Sequence, residues 1–137
     1  MFDRHTYRGK ALRNCDLFKK GDWIQGNVLY REDAVRIILG VAYKRGGGFE
    51  ADARLVDPAT LGQCTGRRDN KRQLIFEGDI LQDKDGATFI MEWINGSSTF
   101  CFHYPEAYCW PCETHLEGVV VGNIHDNPEL LEVNGDA

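Results

Sequence analysis

Short apolar segments, separated every few residues by Gly, Asn or Asp, are the feature that most restricts how this chain can fold. Helical periodicity is weak, whereas segments of strand length are frequent. In residues 87–94, the alternate positions Ala87, Phe89, Met91 and Trp93 are all apolar. This alternation is expected for a strand with one buried side. The pattern predicts a mainly β protein.

Eight segments have the length and composition of strands: residues 23–30, 35–43, 49–56, 74–75, 80–82, 87–94, 99–104 and 119–124. Short strands at this spacing are typical of a β-barrel or a strongly bent antiparallel sheet. We therefore expect one of these two architectures, with short helical turns between some of the strands.

Turn residues lie between these segments. Lys84-Asp85-Gly86 and Asn95-Gly96 each predict a tight hairpin, and Gly46-Gly47-Gly48 predicts a flexible connection. Near the end of the sequence, Asn127-Pro128-Glu129-Leu130-Leu131 places a capping residue before a proline at the first helical position. A short helix that packs its two leucines on the sheet is expected there.

Length and composition predict a single domain over residues 1–137, because 137 residues with 42% hydrophobic content suffice for one core. No apolar run approaches the ~20 residues of a membrane span, and the first residues lack the features of a signal peptide. An odd number of cysteines is typical of free thiols in a reducing compartment. We expect a cytoplasmic protein that does not bind membranes.

The charges are unevenly distributed along the chain. Residues 1–50 carry ten basic and six acidic side chains, whereas residues 51–137 carry six basic and fifteen acidic ones. The net charge of −5 disfavours a general nucleic-acid binder. The asymmetry fits a basic face, subunits that pair opposite faces, or scattered charges that folding interleaves. The last interpretation is favoured.

Four stretches carry a family pattern: YRGKAL with GDWIQGNVL (7–12 and 21–29), PATLGQCTGRRD (58–69), IFEGDIL (75–81) and VGNIHDNPELL (121–131). In this order and spacing they resemble the YopX family of small phage and prophage proteins, over about residues 7–132. The resemblance implies a mainly β fold and an origin in phage or prophage-bearing bacteria. It implies no established activity and therefore no catalytic residues.

The residues of these stretches also have a direct physical interpretation. Gly78 permits a positive φ before a strand, and the Asp79 side chain can bond nearby backbone amides. Residues 65–70 predict a polar loop with the same turn chemistry, and asparagines are expected to cap backbone groups. A structural role is favoured over ligand binding for Gly66, Gly78, Asp79, Gly122, Asn123, Asn127 and Pro128.

Two groups of residues are candidates for binding. A basic cluster is the strongest local signal for nucleic acid, although it lacks interleaved aromatics; it comprises Arg67, Arg68, Lys71 and Arg72. A second basic patch comprises Lys10, Arg13, Lys19 and Lys20. Trp23 is either a core residue, the favoured interpretation, or a binding platform. A solvated loop is favoured for the first cluster.

A cysteine-rich segment departs from the family pattern. Cys109 and Cys112 form a Cys-x-x-Cys, and His115 follows three residues later. With Cys101 or His103 as the fourth ligand, this set could hold zinc. A thioredoxin-like redox pair is less favoured, since no βαβ setting is evident. The favoured interpretation is a loop whose thiols and aromatics pack as apolar groups, so no cofactor is predicted.

Motifs of common enzyme classes are absent from the sequence, which favours a non-enzymatic protein without deciding the question. The leading hypothesis is a phage or prophage accessory protein that binds a protein partner or itself as a homo-oligomer. Unprotected edge strands of a small sheet are consistent with self-association. The alternative is a nucleic-acid-associated module that uses the basic loop at 67–72.

Overall fold

The structure is a computed structural model that describes residues 5–94, 99–104, 109–111 and 117–131, with only the backbone described at 109–111. Its strands are β1 Tyr7–Lys10, β2 Trp23–Arg31, β3 Ala34–Tyr43, β4 Phe49–Leu55, β5 Gly62–Arg68, β6 Leu74–Phe76, β7 Asp79–Gln82, β8 Thr88–Ile94, β9 Thr99–His103, β10 Cys109–Pro111 and β11 Val119–Asn123. Two short 3₁₀ helices span Pro58–Thr60 and Pro128–Leu131. Within the described ranges, no helix is long and apolar enough to cross a membrane.

The chain divides into two compact units, Met1–Cys64 and Thr65–Ala137. In the first unit, antiparallel strands follow the order β4-β3-β2-β1-β5. The strand β5 continues into the second unit, where its neighbour is β6. The second unit also contains a separate antiparallel sheet of order β10-β9-β8-β7-β11.

The first unit has its core on one side of β2 and β3. The buried residues of this core are Ala11, Ile24, Val35, Ile37 and Val56, and Phe18, Val28, Leu39 and Leu61 pack against them. β2 changes its partner along its length, since its first residues pair with β1 and its later ones with β3. At the transition, a Cβ on Gly26 would collide with the carbonyl oxygen of Ile38. Only glycine permits this close approach of the two backbones.

The second unit has a core rich in aromatic rings. Its buried residues are Ile75, Leu81, Phe89, Met91, Phe100 and Phe102. The rings of Phe89 and Phe102 meet edge to face with centroids 5.4 Å apart, a favourable aromatic geometry. The alternation predicted for residues 87–94 places Phe89 and Met91 inside as expected. Trp93 on the same side is 39% exposed and packs against Phe100.

The prediction of a mainly β protein is confirmed, and each of the eight predicted strands is found to within one residue at its ends. The turn at 84–86, a connection at 46–48 and a short helix at Pro128–Leu131 are also confirmed. The two leucines of this helix are only half-buried and belong to neither core cluster. The hairpin predicted at Asn95-Gly96 lies outside the described residues. The expectation of a single domain stays a prediction.

Three strands were not predicted, namely β1, β5 and β10. The loop predicted over residues 65–70 is wrong for its first four residues, because Thr65 to Arg68 continue β5. Gly66, with φ of 80°, lies within this strand and made the stretch look like a turn. Neighbouring strands supply the backbone partners that override this local preference.

A barrel is not confirmed. The described strands form two open sheets, and β4 and β6 are the outermost strands of the first. An edge strand leaves one row of its backbone groups without a neighbour. This property of β4 bears on the candidate site below.

Candidate functional site

The outer half of the β3–β4 hairpin, residues 40–52, is exposed at every position; we call it the ribbon. Its turn is closed by a hydrogen bond from the Lys44 amide to the carbonyl of Gly48, 3.0 Å long. The three turn glycines all have positive φ angles, which side chains disfavour. The glycine run therefore permits this reversal of the chain.

One face of the ribbon is apolar. Val41 pairs with Ala51, and Tyr43 pairs with Phe49. Directly opposed residues share a face, as do alternate residues of one strand. The four side chains thus form one surface, which we call the apolar face, on which the Tyr43 and Phe49 rings meet edge to face at 6.5 Å.

This apolar face is open to solvent in the described part of the chain. The exposed fractions are 87% for Tyr43, 66% for Phe49 and 54% for Val41. The acidic side chains Glu50 and Asp52 alternate with these residues and lie on the opposite face. A strand pair with one apolar and one polar face is typical of a sheet covered on one side. Such an arrangement can bury its apolar face against a protein partner.

The apolar face continues towards the base of the hairpin. A bulge at Leu39 separates the pair Gly40–Asp52 from the pair Ile38–Ala53. Since the bulge adds one residue to β3 alone, the side of β4 that carries Phe49 and Ala51 also carries Ala53 and Leu55. Their partners on β3 are Ile38 and Arg36. The same surface thus changes from aromatic at the turn to basic at the base.

A cleft of about 270 Å³ lies at this base. It is lined by Ala11, Arg13, Asn14, Cys15, Arg36, Ala53, Arg54 and Leu55. The Arg54 guanidinium contacts the carboxylates of Asp52 and Asp16. The hydrogen bond with Asp52 is the main reason why the pKa of Arg54 lies above its usual value. Arg54 is therefore neutralised locally, while the cleft retains two further arginines.

Trp23 lies outside both core clusters and is half-buried. It pairs with Lys10 across β1 and β2. Arg8 Cζ and Lys10 Nζ lie 4.8 and 5.4 Å from the centre of its ring, which are cation–π distances. The core interpretation therefore does not describe Trp23, and its role in binding stays a prediction.

The basic residues at 67–72 are brought into one hairpin. Arg67 and Arg68 end β5, and Lys71 and Arg72 lie in the following turn. The buried Asp69 organises this turn, because its Oδ1 accepts hydrogen bonds from the amides of residues 71 and 73, each 2.8 Å long. Its Oδ2 accepts one from the amide of residue 120, also at 2.8 Å. The turn chemistry predicted for residues 65–70 is therefore found at Asp69, whereas its bond to the amide of residue 120 was not predicted.

The motif residues at the start of β7 serve the backbone. Gly78 has φ of 91°, and its amide donates to the carbonyl of Met91 at 2.8 Å. Asp79 is 1% exposed, and its Oδ2 accepts a hydrogen bond from the Phe76 amide at 2.7 Å. Asp79 and Asn123 are cross-strand neighbours on β7 and β11. Two stretches far apart in sequence thus meet.

The motif at the end of β11 forms a set of caps. Asn123 Oδ1 accepts hydrogen bonds from the amides of His125 and Asp126, at 3.0 and 2.9 Å. Asn127 Oδ1 accepts one from the Asn123 amide at 3.2 Å, and Pro128 begins the helix that follows. A Cβ on Gly122 would lie 2.5 Å from Asn127 Oδ1. This cluster is packed around its own backbone.

The zinc candidates fall largely outside the described residues. Cys112 and His115 are not described, and only the backbone of Cys109 is. Cys101 is a buried free thiol on β9. Among described residues, no group of three or more metal-binding side chains is found. The zinc hypothesis stays a prediction.

The ribbon was predicted as two strands, but its exposure was not. The alternation of Val41 and Tyr43, and of Phe49 and Ala51, was the available signal for an apolar face. Sequence alone does not show whether such a face is covered. No sequence pattern marked Arg36 as a site residue, because it is a single cation between Val35 and Ile37.

Comparison with known families gives one match. Residues 1–132 match the model of a protein family described as YopX protein. No curated protein matches the chain significantly.

Proposed function

The chain belongs to the YopX family, and from this premise we propose that it is an accessory protein of phage or prophage-bearing bacteria that acts by binding a protein partner. The ribbon is the contact surface. The observation that carries the proposal is the exposure of Val41, Tyr43 and Phe49 on one face. Clustered exposed apolar side chains favour association, and aromatic residues are enriched where interfaces bind most strongly.

The polar residues of the family motifs support this choice of surface indirectly. The polar atoms of Asp69, Asn123 and Asn127 accept hydrogen bonds from backbone amides. Side chains used in this way hold the fold together and leave little capacity for a ligand. In the described part of the chain, the exposed side chains of the apolar face have no comparable role in holding the fold together.

The test is affinity capture from a bacterial lysate, with and without nuclease, using the wild type and Tyr43→Ser/Phe49→Ser. Tyr30→Ser is the matched control, because Tyr30 is 69% exposed but lies on β2. We expect a stoichiometric, nuclease-resistant protein with the wild type and the control, and its loss with the double variant. Equal capture by all three proteins would contradict the proposal.

Light scattering of the purified chain would detect self-association through the same ribbon. The wild type and Tyr30→Ser would then be oligomeric, and Tyr43→Ser/Phe49→Ser would be monomeric. This result would retain the ribbon as the contact surface and make a second copy its partner.

A second candidate function is nucleic-acid binding by the basic hairpin at residues 67–72. The supporting observation is that one hairpin, whose turn is organised by Asp69, carries Arg67, Arg68, Lys71 and Arg72. Binding of this kind weakens steeply with salt. Nucleic acid that co-purifies with the wild type, but not with Arg67→Glu/Arg68→Glu, would favour this function over the first.

A further inference from the structure

The cleft at the base of the ribbon holds two arginines without an acidic partner among the described residues. Arg54 is paired with two aspartates, but Arg13 and Arg36 are not. Arg36 is half-buried, and its guanidinium donates a long hydrogen bond of 3.4 Å to the neutral carbonyl of Arg31, so its charge has no anionic partner among the described residues. Arginine binds carboxylates through two parallel hydrogen bonds. The cleft therefore favours a ligand that carries carboxylates.

The apolar face leads directly into this cleft. The cross-strand pairs run from Tyr43–Phe49 through Val41–Ala51 to Arg36 and Leu55 on the same face. At the opposite end, the turn carries the exposed Arg45. Lys44 alternates with Tyr43 and therefore belongs to the opposite face. The apolar strip thus has the basic cleft at one end and a basic turn residue at the other.

The edge of β4 adds a backbone docking site. The Leu55 carbonyl accepts a hydrogen bond from the Leu12 amide at 3.0 Å and so points away from β3. Alternate residues of a strand direct their backbone groups to the same side, so those of Phe49 and Ala51 also point outward. No described residue bonds these groups. An extended segment can pair with such an edge as an added strand.

We propose that the ribbon binds an extended acidic segment of its protein partner. The segment adds to the edge of β4, lays apolar side chains against the apolar face and places a carboxylate against Arg13 and Arg36. The inference rests on the proposed function and names the chemistry of the partner.

A second copy is a less suitable occupant of this surface. If two copies stack their apolar faces in opposite directions, the basic cleft of one meets the turn of the other, which carries the exposed Arg45. If they stack in the same direction, the two clefts meet each other. Both orientations oppose like charges, which disfavours association. An acidic segment has no such conflict.

The experiment is a selection from a random displayed-peptide library on the full-length chain, followed by fluorescence anisotropy with the most enriched peptide. The baits are the wild type, Arg13→Glu/Arg36→Glu and Tyr43→Ser/Phe49→Ser. The control is Arg31→Glu/Lys84→Glu, which changes the net charge equally at two exposed residues that do not line the cleft.

We expect the wild type and the Arg31→Glu/Lys84→Glu control to enrich peptides that combine Asp or Glu with apolar residues. Charge reversal at Arg13 and Arg36 should lower the affinity for the selected peptide by about tenfold or more. A peptide with its acids replaced by lysines should recover affinity for this reversed variant. That recovery would exclude misfolding as the cause of the loss.

Three results would overturn the inference. Enrichment of apolar peptides without acids, with equal binding to the reversed variant, would leave the proposed function intact but remove the acidic partner. An oligomer that depends on Tyr43 and Phe49, with no enriched peptide, would assign the surface to a second copy. A single-stranded DNA oligonucleotide bound through Arg13 and Arg36, again without an enriched peptide, would assign the cleft to nucleic acid.

Discussion

The cluster around β7 and β11 and the ribbon of β3 and β4 use their side chains in opposite ways. In the cluster, polar side chains such as Asp79 and Asn123 are buried and hold backbone groups. In the ribbon, apolar side chains such as Tyr43 and Phe49 are exposed and contribute little to the packing of the fold. Burial of polar groups requires partners, whereas exposure of apolar groups favours association. The comparison separates residues that maintain the fold from those available for binding.

The largest expected effect comes from Asp69→Ala in the second unit. The substitution removes the acceptor of three backbone hydrogen bonds at a residue only 6% exposed. Hydrogen bonds to a charged acceptor are worth about 1.5–3 kcal/mol each and are not additive, so we expect a loss of at least about 3 kcal/mol. Chemical denaturation followed by circular dichroism measures this loss.

The matched control for Asp69 is Asp85→Ala, which removes the same charge from an exposed turn of the same unit. Its free energy of unfolding should change by no more than about 0.5 kcal/mol. If the two variants are equally stable, the turn at residues 69–73 does not depend on the buried carboxylate.

Gly122→Ala tests the packing of the caps. The new Cβ would lie 2.5–2.9 Å from side-chain atoms of Asn127, so that side chain must move and lose its bond to the Asn123 amide. We expect destabilisation of about 2 kcal/mol, typical of overpacking. In an Asn127→Gly background the same substitution should cost less, since the conflict is removed. Equal cost in both backgrounds would show that Asn127 is not the obstacle.

The raised pKa of Tyr104 predicts that the free energy of unfolding depends on pH in the alkaline range. Burial, followed by the 3.0 Å hydrogen bond donated to Asp83 Oδ2, raises its pKa from 10.0 to about 12. Because the folded state holds the proton more tightly, this contribution is complete below about pH 10 and is lost as the pH rises towards 12. The stability advantage of the wild type over Tyr104→Phe should therefore shrink across this range in denaturation experiments.

The phenolate absorbance of Tyr104, taken as the difference between the wild type and Tyr104→Phe, reports its pKa directly. Asp83→Asn should move this pKa part of the way back towards 10, because burial beside Phe89 remains. An unchanged pKa in Asp83→Asn would show that the hydrogen bond contributes nothing.

The smallest expected effect on stability is that of Tyr43→Ser/Phe49→Ser. An exposed cross-strand aromatic pair contributes about 0.2–1 kcal/mol, so the free energy of unfolding should fall by no more than about 1 kcal/mol. Ile37→Ala, on the opposite and buried face of β3, should cost about 2–5 kcal/mol. A large fall in the free energy of unfolding of Tyr43→Ser/Phe49→Ser would show that the ribbon maintains the fold. The contrast with the cluster around β7 and β11 would then disappear.

Much of the fold could be predicted because strand periodicity and turn residues act locally. The alternation in 87–94 predicted the buried positions Phe89 and Met91, although Ala87 and Trp93 of the same series are exposed. The run Gly46-Gly47-Gly48 predicted a connection. The strand β5 could not be predicted in this way, because Gly66 and the polar residues around it have turn-like preferences. Pairing with the distant strand β1, and with β6 across the turn that follows, decides the conformation of β5.

The candidate site was less predictable than the fold. Arg36 and Arg13 are far apart in sequence and meet only because the segment after β1 lies beside β4. The four residues of the basic hairpin were found because they are sequence neighbours. A site assembled from separate strands gives no such local signal.

The sequence by itself determined the mainly β class, the positions of most strands and the family, because these depend on local patterns and on motifs in a given order. Only the tertiary structure decided that the polar motif residues hold backbone groups and that the ribbon is exposed. Burial and hydrogen-bond partners depend on contacts between residues far apart in the chain. Local composition contains no record of those contacts, so the division between residues that maintain the fold and apolar residues that stay exposed became visible only in three dimensions.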